Sequence, residues 1–129
     1  MKKNRFIFLG VMLVLGLALL TACGGSKEPT VVNVKLNEFN IELDKSVVPS
    51  GDVKFVITND GTVEHELVLE PAGTMDEPFE KDGMESEAED IEPGATTTLE
   101  WTLAPGDYHL GCYIEGHFEA GMETSFTVN

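Results

Sequence analysis

The chain has 129 residues, with 23 Asp and Glu against 8 Lys and Arg, a formal net charge of −15. So acidic a protein does not hold a polyphosphate backbone by counterion release, which excludes nucleic acid as the default partner and points to cationic ones. The length suits one domain, and two cysteines allow at most one bridge.

Lys2, Lys3 and Arg5 precede a predominantly apolar run from Phe6 to Leu20, which ends in Leu20-Thr21-Ala22-Cys23. A basic n-region, a short h-region and small residues before a break mark a secretory signal, here residues 1–22. The final four residues resemble the lipobox of bacterial lipoproteins, whose Cys is lipidated and becomes the new N-terminus, so Cys23 is the expected lipidation site. The alternative is an uncleaved single-span anchor, and with the basic residues ahead of the span the remainder is still exported. Either route puts the domain outside the cytoplasm at a membrane surface, on the outer face of a cytoplasmic membrane or the periplasmic side of an outer one. Removing residues 1–22 takes three bases and no acid, leaving five lysines against 23 acids, a charge of −18. Residues 23–30 then read as the lipidated Cys and a flexible tether.

From Val31 onward the pattern is period two, broken by Gly, Pro, Asn and Asp clusters, which predicts an all-β domain over residues 31–129. Val32, Val34 and Leu36 share one face. The parity then shifts to Phe39, Ile41 and Leu43, as expected of a bulge or kink at Asn37-Glu38. Val53, Phe55 and Ile57 mark a strand ending at the turn Asn59-Asp60-Gly61. Val63, His65, Leu67 and Leu69 point inward, and Glu64, Glu66 and Glu70 outward. Leu99, Trp101 and Leu103, then Tyr108, Leu110 and Cys112, then Thr124, Phe126 and Val128 repeat the scheme. About seven to eight short strands at this spacing predict a Greek-key β-sandwich. Residues 71–94 interrupt it, with nine acids from Asp76 to Glu92 opposed only by Lys81. This segment is expected as a solvated loop with one helical turn near Ser86–Asp90, or as a docking surface for a basic partner.

Parity places His65 and Cys112 on inward faces of two different strands. After Cys112 come His117 and Met122, with four residues between each pair, just before the final strand. One thiolate, two imidazoles and a thioether form the soft-to-borderline donor set that suits copper, and His₂Cys with a weak axial Met is the arrangement of electron-transfer copper. Zinc more often recruits further Cys or a carboxylate. His109 faces away from Cys112 by parity and is read as a non-ligand.

These residues carry a family resemblance. Asn59-x-Gly61-x-x-x-His65, the lead-in Pro105-Gly106-Asp107-Tyr108-His109-Leu110-Gly111-Cys112 and the Cys112…His117…Met122 loop resemble the cupredoxins, the small type 1 blue copper proteins. The ligand-loop spacing is nearer to the rusticyanin and auracyanin branch than to plastocyanin. The resemblance covers residues 31–129 and implies one copper ion held by His65, Cys112 and His117, with Met122 axial. The position after the upstream His often carries Asn in the family, tying the ligand loops together, and here it is Glu66, which leaves that tie open.

The function implied is one-electron transfer, with the ring edge of His117 as the exit among Ile114, Gly116, Phe118, Ala120 and Gly121. Glu115, Glu119 and Glu123 flank it, and the expected partner is a redox protein with a basic docking surface, such as a c-type cytochrome, an oxidase or a reductase. Copper handling by an envelope lipoprotein is the alternative, in which Met75 and Met84 of the acidic insert gain importance. Catalysis by a second copper cluster is not expected from three histidines.

Overall fold

A computed structural model describes residues 27–129, so the segment expected as a signal peptide and the expected lipidation site Cys23 lie outside the described residues. The strands in chain order are β1 (Thr30–Asn37), β2 (Asn40–Leu43), β3 (Val47–Val48), β4 (Gly51–Asn59), β5 (His65–Pro71), β6 (Glu80–Lys81), β7 (Met84–Glu85), β8 (Glu87–Ile91), β9 (Thr96–Leu103), β10 (Gly106–Gly111) and β11 (Glu123–Val128). They form a four-stranded sheet in the order β2-β1-β4-β9 and a five-stranded sheet in the order β3-β11-β10-β5-β8, with β6 and β7 as a separate hairpin. The expected all-β sandwich is the one found, with nine strands in its two sheets rather than seven or eight.

Alternation builds the core between the sheets. Val32, Val34 and Leu36 on β1 and Val53, Phe55 and Ile57 on β4 are buried on one side, opposite Leu67, Leu69, Leu110, Phe126 and Val128 on the other. Phe55 and Phe126 meet edge to face across the sandwich, with ring centroids 5.3 Å apart, an arrangement that adds about 0.5–1.5 kcal/mol to the burial itself. β1 pairs with β4 in parallel and β4 with β9 antiparallel. Tyr108 at the start of β10 donates its hydroxyl to the Ala104 carbonyl at 2.7 Å, pinning the turn that enters β10.

Four sequence expectations are corrected. The parity shift near Asn37 is a chain reversal: Asn37 pairs with Asn40 and Leu36 with Ile41, so Glu38 and Phe39 form the tip of a hairpin, and Phe39 is exposed. A reversal and a bulge change parity identically, which is why the pattern alone did not separate them. Val63 is also exposed, because Asn59 Nδ2 holds the Val63 carbonyl at 2.8 Å and the chain loops before β5 begins at His65. The segment expected to carry a helical turn at Ser86–Asp90 instead forms the edge strand β8, paired with β5. Ser86 is buried, donating to the Leu69 carbonyl at 2.5 Å and accepting the Phe79 N–H at 2.8 Å. Finally, Glu70 lies on the outward parity of β5 yet is fully buried, because the segment after Pro71 folds over it.

Candidate metal centre

Three chain positions converge at one end of the sandwich. β5 starts with His65, β10 delivers Cys112 immediately after its last residue, and the loop to β11 supplies His117. One donor atom from each of His65, Cys112 and His117 lies within 4.8 Å of the other two, the one such group of His, Cys, Asp and Glu among the described residues. His65 Nδ1 is 3.2 Å from His117 Nδ1, and Cys112 Sγ is 3.4 Å from the same nitrogen. Donors at about 2.0–2.3 Å from a shared ion fall at such mutual separations.

The loop from Cys112 to Met122 is closed on itself. The Cys112 N–H donates to the Met122 carbonyl and the Met122 N–H to the His117 carbonyl, each at 3.1 Å, so the fully buried Met122 is clamped to both other loop residues of the expected ligand set. The His117 N–H reaches the Ile114 carbonyl at 2.9 Å. Gly116 and Gly121 precede His117 and Met122 at φ of 84° and 98°, a region that side chains with a Cβ disfavour, and they let the loop turn twice within six residues. On the upstream side Asn59, fully buried, accepts the Gly61 N–H at 2.8 Å and donates to the Val63 and Ile91 carbonyls, so every polar group of its amide is used to set the approach to His65.

The open question at Glu66 has a structural answer: Glu66 Oε1 accepts the Tyr113 N–H at 2.7 Å. A carboxylate therefore ties β5 to the ligand loop where the family often uses an amide. Burial pushes the Glu66 carboxyl above its ordinary value. Burial likewise raises the Cys112 thiol, opposed by the backbone N–H groups of Glu66 and Ile114, which point at its sulfur and favour a thiolate. His65 is held below its usual value by burial and then by the neighbouring His117. The second proton that would make His65 an imidazolium is thus disfavoured, and metal ligation requires the neutral ring.

The sequence reading did not name Phe39 beside His117. Phe39, 41% exposed, packs edge-on against the ring at a centroid distance of 5.2 Å. Phe118 stacks on Tyr113, with centroids 4.8 Å apart and planes at 17°. The three flanking acids, Glu115, Glu119 and Glu123, are all exposed, and Glu123 Oε2 is engaged by His109 Nε2 at 2.6 Å. Met75 and Met84 are each 62% exposed and line separate cavities, one beside His109 and Phe118, the other beside Trp101.

His109 lies outside the His65, Cys112 and His117 group and belongs to a second polar cluster that sequence reasoning missed. Its Nδ1 lies 3.0 Å from Glu70 Oε1, which also accepts the Tyr113 hydroxyl, while Glu70 Oε2 takes the Glu77 N–H at 2.9 Å and the Thr74 hydroxyl at 3.3 Å. Gly111 makes room for this: a Cβ there would stand 3.0–3.1 Å from the Tyr113 ring. The available signal was the pair of acids at even parity on β5, next to a strand carrying a lone His.

Two sheets closing on a His₂Cys group at the end of a buried core define a β-sandwich metal protein, and the donor set fits one copper ion by softness and number. The chain belongs to the cupredoxin-like domain family, which it matches over residues 8–122. It is 31% identical over 78 residues to the copper-resistant cuproprotein CopI of Rubrivivax gelatinosus, a match that takes in 54% of this chain and 47% of that protein, so the chain spans about half the length of this curated relative. Among solved structures, reduced auracyanin from Roseiflexus castenholzii superposes with a TM-score of 0.61 at 22% identity, covering 81% of this chain and 99% of that one. Rusticyanin from Thiobacillus ferrooxidans gives 0.52 at 19% identity, covering 79% of each. These likenesses establish the fold that the sequence predicted.

Proposed function

We propose that the protein is an extracytoplasmic, membrane-attached one-electron carrier with a single copper ion bound by His65, Cys112 and His117 and capped by Met122. The observation that carries this reading is the convergence of three donor atoms within 4.8 Å from separate chain positions, already fixed by backbone hydrogen bonds. Copper, when bound, supplies the Cu(II)/Cu(I) couple. The chain's contribution is to hold its donors still: both ends of the Cys112–Met122 loop are bonded together, Glu66 ties that loop to β5, and Asn59 fixes the turn before His65. A scaffold that does not rearrange between oxidation states keeps the barrier to transfer low. Phe39 and the partly exposed ring of His117 form the route to a partner.

Charge supports the choice of partner. At −18 after removal of residues 1–22, a redox protein with a basic docking surface is steered toward the Glu115 and Glu119 side, and its on-rate falls steeply with added salt. No enzymatic role is assigned: of three histidines two serve the centre and the third lies between Glu70 and Glu123, leaving none for a second copper cluster. Attachment through a lipidated Cys23 is tested by mass spectrometry of the exported protein.

The decisive experiment is the absorption spectrum and voltammogram of the copper-loaded protein, with Cys112→Ser as control. An intense visible thiolate-to-copper band and a reversible wave, both lost in Cys112→Ser, are the expected results. The similarity to a copper-resistance cuproprotein favours a second reading, copper capture and transfer at the envelope. A colourless protein that yields Cu(I) readily to chelators would decide for it.

A further inference from the structure

The tip of the β1–β2 hairpin touches both imidazoles of the centre. Phe39 covers His117, and its neighbour Glu38 faces His65 from behind. His65 is fully buried and turns Nδ1 toward His117, which leaves Nε2 on the far side of the ring. That nitrogen is the one buried side-chain N or O atom without a hydrogen-bond partner among the described residues. An imidazole offering the Nδ1 lone pair to a metal carries its proton on Nε2, and metal-bound histidines almost always donate that proton to a carboxylate, a carbonyl or water.

Glu38 Oε1 is the nearby acceptor, 3.9 Å from His65 Nε2. It is fixed in place by the Thr62 N–H at 2.5 Å, with the Thr62 hydroxyl and the Val63 N–H each at 3.2 Å. Gly61 keeps the passage between the two groups open: a Cβ there would stand 2.6 Å from Glu38 Oε1 and 3.0 Å from His65 Nε2. Any side chain at 61 would push carboxylate and imidazole apart. The Gly of the Asn59-x-Gly61 turn thus has a second use besides the turn.

We propose that Glu38 is the positioning carboxylate of His65, accepting its Nε2–H in the metal-loaded protein, fixing the tautomer that aims Nδ1 at the metal and placing a negative charge behind one ligand. Closing the gap to hydrogen-bond length takes a movement of about 1 Å. The charge favours the more positive oxidation state, so it lowers the reduction potential. The inference rests on His65 being a metal ligand.

The test compares the full-length wild type with Glu38→Gln, which keeps an acceptor for Thr62 and Val63 but loses the charge, with Glu38→Asp, which keeps the charge on a shorter arm, and with Gly61→Ala. Nitrogen-resolved NMR of the Cu(I) form reads the His65 Nε2–H directly, voltammetry reads the potential, and chelator competition reads Cu(I) affinity. The expected results are a slowly exchanging Nε2–H in the wild type, fast exchange in Gly61→Ala, a higher potential in Glu38→Gln than in Glu38→Asp, and affinity reduced about 10–100-fold in Gly61→Ala. A potential unchanged in Glu38→Gln, or an Nε2–H whose exchange is indifferent to Gly61→Ala, would overturn the proposal while leaving copper binding intact. A wild type that takes up no copper would instead overturn the copper reading. In that event the copper-free protein is read by the same NMR: loss of the Nε2–H tautomer in Gly61→Ala supports the Glu38 contact, and a tautomer indifferent to it refutes the contact.

Discussion

Consecutive residues, Cys112 and Tyr113, feed two buried polar clusters that are satisfied in opposite ways. Cys112 faces inward to His65 and His117, where His117 Nδ1 lies 3.2 Å from His65 Nδ1 and 3.4 Å from the sulfur, and where His65 Nε2 is buried without a hydrogen-bond partner among the described residues. Tyr113 faces outward to Glu70, a buried carboxylate met by the phenol, a backbone N–H, a threonine hydroxyl and His109. The first cluster is completed by something from outside the chain, the second by the chain itself. A polar group buried without partners costs the fold its full desolvation, so the first should weaken the copper-free protein and the second should strengthen it.

The largest expected effect follows from the inward cluster. A ligand that binds only the folded state stabilises it by about 4 kcal/mol at a thousandfold excess over its dissociation constant. Copper addition should therefore raise the thermal unfolding temperature strongly in the wild type and far less in Cys112→Ser. An equal rise in both would mean that copper binds elsewhere.

The outward cluster should break differently. Glu70→Ala leaves Tyr113, His109 and the Glu77 N–H without their common acceptor, and dismantling a buried charged network costs about 3 kcal/mol. Chemical denaturation should show that loss while the thiolate-to-copper band persists, because no bond from Glu70 reaches a ligand. Loss of the band together with stability would show that the two clusters are one unit.

Much of the inward cluster was legible in the sequence, and little of the outward one. The convergence of His65, Cys112 and His117 could be anticipated because strand parity puts the first two inside and a short loop confines the third, and the expected ligand Met122 is bonded through its backbone to Cys112 and His117. Parity assigns Glu66 and Glu70 to the outer face, but it does not say that later residues will cover that face. The cover is nonlocal: Thr74, Glu77 and the buried Ser86 fold back onto β5 from a segment whose composition reads as solvated loop. The hairpin tip was visible only as a change of parity, so the packing of Phe39 on His117 had no local signal.

The acidic segment itself sharpens the contrast through pH. Burial alone would raise the Glu70 carboxyl, but hydrogen bonds from Tyr113, Glu77 and His109 outweigh it and hold it below its ordinary value. Its stabilisation is present above the unfolded-state value near 4.5 and is lost as pH falls through the lower folded value. Glu87 is the reverse case: burial, a hydrogen bond with Glu85 and the charges of Glu89 and Glu85 push it up to about 7. The folded state then holds a proton that the unfolded state has released, so the contribution of Glu87 is greatest below 4.5 and is lost as pH rises through about 7. Urea midpoints measured against pH should show Glu70→Gln flattening the acid limb and Glu87→Gln flattening the decline toward neutral pH. A Glu87→Gln variant with the wild-type slope between those values would locate the strain elsewhere in the segment.

The smallest expected effect on stability separates the fold from the electron exit. Phe39 is exposed at a hairpin tip, and its aromatic contact is a T-shaped one with His117. Exposed substitutions of this kind stay within about 0.5 kcal/mol, so Phe39→Ala should unfold almost as the wild type does. The ring nevertheless stands between His117 and any partner approaching from that side, and its removal opens the imidazole to water. Electron exchange with a small cationic redox complex should therefore slow in Phe39→Ala, at unchanged charge and unchanged salt dependence. An unaltered rate would mean that electron exchange does not run past Phe39.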